Sequence, residues 1–157
     1  MGRALVVEVI DAPNLNVGCG QWIFPNAVNL DMATLPGVDV VHDLDVTPWP
    51  FDAGRFTEVW GHQVFEHVAD PVGFMREAHR VLTPDGVLFL TVPHWQSENS
   101  HTDPTHRRHC TERTWDYWCE GTALHAQFGA AYADGRTFTK ESVERVADDI
   151  HVRLRRI

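Results

Sequence analysis

No apolar run in this sequence approaches the roughly 20 residues that a bilayer-crossing helix requires, so the chain reads as one that does not enter a membrane. Cysteine is scarce. Cys19, Cys110 and Cys119 are too few and too scattered for a disulfide framework, and they read as reduced thiols. Basic residues are outnumbered, 13 Lys and Arg against 22 Asp and Glu, for a formal charge of −9. A nucleic-acid footprint needs a basic face, so none is expected. Repeats, low-complexity tracts and linkers are absent, and residues 1–157 read as a single domain. The opening MGRALVVEVIDAP is a poor signal peptide, because Glu8 interrupts its apolar patch and no small-residue cleavage site follows. A cytoplasmic location is the expectation. Ala4–Ile10 reads as an extra edge strand or as a homodimer contact.

The chain does contain short β-branched runs that end in turn formers or polar groups. Leu15–Val17 runs into Gly18-Cys19-Gly20, Ala27–Leu30 into Asp31, Val38–Val41 into His42-Asp43, and Phe56–Trp60 into Gly61-His62. Asp70-Pro71 reads as a helix start, Asp as N-cap and Pro in the first turn. Phe74, Met75, Ala78, Val81 and Leu82 give that helix one apolar face. Thr83–Gly86 reads as a turn, and Val87–Val92 as a strand buried on both faces. Phe138–Val146 and Ile150–Leu154 close the chain as a strand pair with Asp148-Asp149 in the turn. Strands interleaved with helix argue for an open α/β sheet, whose ligands sit beyond the carboxyl ends of the strands. Polar groups therefore collect where such a sheet keeps its site.

The ordered stretches LNVGCG, VNLD, VVHDLDVTPWPF, GHQVFEHV and RVLTPDGVLFLTVP resemble the class I S-adenosylmethionine-dependent methyltransferases, especially the small bacterial and phage type. The resemblance is firm from Leu15 to about Pro93 and faint over the last 35 residues. It implies a Rossmann-like, doubly wound, mostly parallel seven-stranded sheet with an antiparallel last strand. It implies S-adenosyl-L-methionine as cofactor. Gly18, Cys19 and Gly20 would pass beneath its methionine part, Asp31 would accept from both ribose hydroxyls, Asp43 and Leu44 would meet the adenine, and His62 would lie beside the methionine moiety. Glu66 and His67 match the family's Glu-His pair, read either as a ligand contact or as a pair that holds the loop.

Three positions depart from the family pattern: Gln21-Trp22 replaces a third small residue, Thr57 replaces an acid, and Asp85 replaces a glycine. Nine residues separate Gly18 from Val28, Pro25 among them, too few for a full crossover helix. The first helix is therefore expected to be shortened. A dinucleotide enzyme rests its pyrophosphate on that helix, so the short connection disfavours a nicotinamide dehydrogenase.

The acceptor side is read at His94–Thr111, HWQSENSHTDPTHRRHCT. His94, Asp103 and His106 are the candidate catalytic residues of a substrate-side lid, with histidine able to titrate near neutral pH. A purely structural loop is the competing reading. His101, Asp103, His106, His109 and Cys110 have some ligand-like spacing, but no CxxC or HExxH signature accompanies them, and no metal ligand is assigned. Arg107, Arg108 and Arg113 read as an anionic-substrate patch or a solvated loop. Trp115, Tyr117 and Trp118 read as core or as an aromatic wall. The function expected is methyl transfer to an unidentified small-molecule acceptor. A non-catalytic binding module on the same fold and a metal-dependent hydrolase are the alternatives.

Overall fold

A computed structural model describes residues 12–157; Ala4–Ile10 lies outside the described residues. Seven strands form one sheet in the order β3-β2-β1-β4-β5-β7-β6. They are β1 (Asn14–Val17), β2 (Ala27–Asp31), β3 (Val40–Val41), β4 (Phe56–His62), β5 (Leu82–Pro93), β6 (Phe138–Val146) and β7 (Asp149–Arg156). β1 to β5 pair in parallel, whereas β7 runs antiparallel to both β5 and β6. This is the Rossmann-like α/β arrangement expected. The strand order reverses between β1 and β4, and that switch point opens a crevice at the carboxyl ends.

Helix α1 (Pro71–Val81) connects β4 to β5. The Asp70 side chain accepts from the Gly73 amide at 2.8 Å, and Pro71 follows at the first helical position. Phe74, Met75, Ala78 and Val81 turn inward to the same cluster as Leu15, Val17, Val59, Leu88 and Val152. Burial of each larger side chain contributes roughly 1.5–3 kcal/mol. Helices α2 (Glu98–Thr102) and α3 (Ala123–Tyr132), with a 3-10 turn at Glu112–Tyr117, lie between β5 and β6. Trp115 and Trp118 pack into the core, which resolves the aromatic-wall alternative for those two.

Among the described residues no helix joins β1 to β2, as expected from the nine-residue spacing. Two buried asparagines do the holding. Asn16 Nδ2 donates to the Trp22 carbonyl at 2.6 Å and to Asn29 Oδ1 at 3.0 Å. Asn29 accepts from the Phe24 amide and donates back to the Phe24 carbonyl. Trp60 and Phe89 point to the sheet face opposite the core cluster and stack at 3.9 Å.

One expected turn is different. Thr83–Gly86 is absorbed into β5, where pairing with β4 jumps from Phe56↔Leu82 to Glu58↔Val87. The Thr-Pro-Asp-Gly bend is thus a bulge inside the strand, with Asp85 at φ 63°.

Candidate active site

The glycine turn is shaped by β1. Gly18 takes φ 60° and Gly20 φ 50°, a region that favours glycine. A Cβ on Gly18 would lie 2.3 Å from Val64 Cγ2, so no larger residue fits there. Gly20 has open space on that side, and its amide donates to Asp31 Oδ2 at 2.8 Å. Asp31 Oδ1 accepts from the Ala33 amide at 2.9 Å. Each Asp31 oxygen therefore has one backbone donor and keeps a lone pair for a ligand. Cys19 is buried, and burial, reinforced by Asp31, pushes its thiol up to about 11. It contributes backbone to the turn and no reactive sulfur.

Gly18, Asp31, Asp43 and Leu44 line one cavity of about 230 Å³, together with Gln63 and His67. His62 does not join them. Side chains alternate along β4, so His62 follows Trp60 onto the opposite face and meets the Trp22 ring at 5.3 Å. Gln63, at φ 52°, takes the strand-end position in the cavity. Where His62 was expected to line this cavity, Gln63, one residue later, lines it.

A second cavity of about 630 Å³ adjoins the first, and Gln63 and His67 line both. Glu66, Asp103 and His106 face it. The third candidate, His94, does not, and it is corrected as a site residue. It is 3% exposed, its Nδ1 accepts from the Gln96 amide, and its Nε2 faces Glu112 at 3.4 Å. Both ring nitrogens are engaged within the loop.

Asp103 is exposed, and its Oδ1 accepts from the Thr105 amide and hydroxyl, which hold its carboxyl below the usual range. His106 Nε2 lies 3.9 Å from Glu66 Oε1. Glu66 is 1% exposed and neither carboxylate oxygen has a hydrogen-bond partner. Burial pushes that carboxyl up to about 7, and burial followed by the neighbouring His106 lowers His67.

Two arginines fix this wall. Arg107 donates from its amide to the Glu66 carbonyl at 2.9 Å and from Nε to the His67 carbonyl at 3.1 Å. Arg108 donates to the Phe65 and Val68 carbonyls. These residues latch two loops together, and the guanidinium of Arg108 is spent on carbonyls. His101 and His109 stack on each other at 4.2 Å. Gln63 was not among the predicted site residues, and Glu66 with His67 was read either as a ligand contact or as a pair that holds the loop. The polar run after β4 marked the region, but only the fold shows which of its members point inward.

Residues 23–90 match the family described as a methyltransferase domain. A ubiquinone biosynthesis O-methyltransferase of Haemophilus ducreyi is 28% identical over 102 aligned positions, covering 49% of this chain and 43% of that protein. A SAM-dependent methyltransferase from Aquifex aeolicus superposes with TM-score 0.62 at 13% identity, over 94% of this chain and 83% of that one. An S-adenosylmethionine-dependent methyltransferase from Mesorhizobium loti gives 0.57 at 16%, over 92% and 90%. Residues 23–90 thus carry a methyltransferase-domain match, on a fold shared with S-adenosylmethionine-dependent methyltransferases.

In this fold the first cavity is in the expected place, beyond the β1–β4 switch point. These two structural likenesses, both below 20% identity, are likenesses of fold. The chain spans less than half the length of the curated relative it matches. No helix among the described residues is long and apolar enough to cross a membrane.

Proposed function

We propose that this chain transfers a methyl group from S-adenosylmethionine to a hydroxyl-bearing small molecule held in the larger cavity. The observation that carries the reading is the junction at Gln63 and His67, where a cavity lined by Asp31 and the Gly18 turn meets one lined by Glu66 and His106. When bound, the cofactor supplies an electrophilic methyl on a sulfonium.

The residues of the first cavity suit it. Asp31 has lone pairs for two ribose hydroxyls, and an ionised carboxylate makes them charge-assisted bonds. Asp43 offers an acceptor to the adenine amine and Leu44 an apolar surface. Bare backbone at Gly18 lets a ligand approach closely. No pyrophosphate has to be held, so a connection without a helix suffices.

In the second cavity Gln63 and His67 stand at the boundary and can align an acceptor with the first. Proton removal from a hydroxyl falls to His67 or His106, whose imidazoles line that cavity. Asp103 shapes the rim through Thr105. The oxygen acceptor rests on the name of the Haemophilus ducreyi relative and on these two imidazoles. Three free, buried cysteines fit a reducing, cytoplasmic setting.

Calorimetry with S-adenosylmethionine and S-adenosylhomocysteine tests the reading. Saturable binding that weakens in Asp31→Ala is expected. No heat at millimolar cofactor, with the chain folded by circular dichroism, overturns it in favour of a non-catalytic module.

A further inference from the structure

We propose that Glu66, His67 and His106 form a binding site for one divalent transition-metal ion, with coordination positions open to the larger cavity. The inference stands on geometry alone and holds whether or not the chain transfers a methyl group; in the loaded chain both imidazole lone pairs are taken, and the ion, in place of His67 or His106, would ease loss of the acceptor hydroxyl's proton.

One ligand atom from each residue lies within 4.8 Å of the other two, the only such group of three among the described residues. Small side-chain adjustments bring all three to the roughly 2.0–2.2 Å that metal–nitrogen and metal–oxygen bonds need. Glu66 supplies the independent observation. A buried carboxylate normally collects hydrogen bonds, yet both of its oxygens have none.

The hydrogen bonds around the histidines fix which nitrogen faces inward. His106 Nδ1 lies 3.1 Å from the Ser100 carbonyl, which only accepts. Nδ1 therefore carries the proton, and Nε2 turns a lone pair toward Glu66. The Thr105 hydroxyl donates its one proton to Asp103 Oδ1 at 2.7 Å. Its oxygen, 2.9 Å from His67 Nδ1, must then accept. His67 Nε2 is left with a lone pair as well. With Glu66 ionised, the group sets its carboxylate against the His106 Nε2 lone pair with no donor between them. A cation satisfies all three at once.

Carbonyl and hydroxyl partners on the outer nitrogens are the support that metal-bound histidines require. Arg107 and Arg108 clamp the loop that bears Glu66 and His67 against the loop that bears His106. The site is thus held before an ion arrives. Two imidazoles with one carboxylate suit zinc, iron(II), cobalt(II) or manganese(II) better than calcium or magnesium. Three protein ligands leave positions for a water or hydroxyl oxygen, and the cavity in front of them, about 630 Å³, has room for one.

The test uses the full chain, stripped with chelator and titrated with Co²⁺ and Zn²⁺. One Co²⁺ per chain, with ligand-field absorption of nitrogen and oxygen coordination, is expected, and Zn²⁺ should displace it. Glu66→Gln, which keeps the shape, should abolish that spectrum. Thr105→Val, which removes the hydroxyl orienting His67, should weaken binding by roughly tenfold or more. His101→Ala, outside the group, should bind as the unaltered chain does. Zn²⁺ should raise the melting temperature of the unaltered chain and not that of Glu66→Gln. The proposal is overturned if the folded chain takes up no ion at millimolar Co²⁺, if Glu66→Gln binds as tightly, or if His101→Ala abolishes binding. Calorimetry with S-adenosylmethionine on the stripped chain reads the cofactor cavity separately, so the two readings fail independently.

Discussion

Glu77 and Glu66 are both almost fully buried, 4% and 1% exposed, and the fold treats them in opposite ways. Glu77 Oε2 accepts from the Trp49 amide at 2.6 Å and from Arg80 at 2.7 Å. Arg80 goes on to the Trp49 and Phe51 carbonyls. Burial pushes the Glu77 carboxyl up, but the Arg80 and Trp49 hydrogen bonds outweigh it and hold the group below its ordinary range. Glu66 has no such company, and burial leaves its carboxyl near 7. A buried acid with every lone pair answered is part of the scaffold. A buried acid with none answered sits where the scaffold stops and a ligand begins.

The largest effect that can break this contrast is at Glu77. Glu77→Ala leaves the half-buried Arg80 without its carboxylate and the buried Trp49 amide without its acceptor, and should cost roughly 3 kcal/mol in urea denaturation. A cost below about 1 kcal/mol would mean that the ion pair does not organise the Trp49–Phe51 loop. The next largest is at Glu66 in chelated protein. Folded Glu66 holds its proton up to about 7, whereas the unfolded chain releases it near 4.5. Stability should therefore fall as pH rises through that window, by at most roughly 3 kcal/mol. Glu66→Gln removes the dependence: it should match the unaltered chain near pH 5 and exceed it above pH 7 by what that chain has lost, at most roughly 3 kcal/mol. Parallel pH profiles would show that Glu66 is satisfied in solution. Glu77 has the reverse sign, since its depressed carboxyl stabilises the fold above its unfolded value and loses that support on acidification.

Asp31 is the intermediate case, half-buried with one amide on each oxygen. Asp31→Ala should weaken S-adenosylmethionine by roughly 1–3 kcal/mol in calorimetry, with a smaller loss of melting stability. The smallest effect is expected at His101, exposed in α2. His101→Ala should stay within roughly 0.5 kcal/mol of the unaltered chain in the same denaturation assay.

The strand ends, the glycine turn opposite Asp31 and the capped α1 were all legible in the sequence, because each depends on residues close together in the chain. His62 was misplaced by one residue. Alternation along β4 put it on the outer face, and the left-handed Gln63 that follows leaves no local signature. The histidine segment could be seen as unusual but not sorted. Only the latch of Arg107 and Arg108 onto residues 65–68 decides that His106 looks inward, while His94 is committed to Gln96 and Glu112. Contacts across some forty residues of chain have no period to read.

The paired asparagines beneath the β1–β2 connection grip peptide groups of Trp22 and Phe24, not their side chains. Such an anchor is indifferent to what those positions display. Gln21 and Trp22, both outward-facing, can therefore be rewritten freely while the bend at Gly20 stays moored to Asp31.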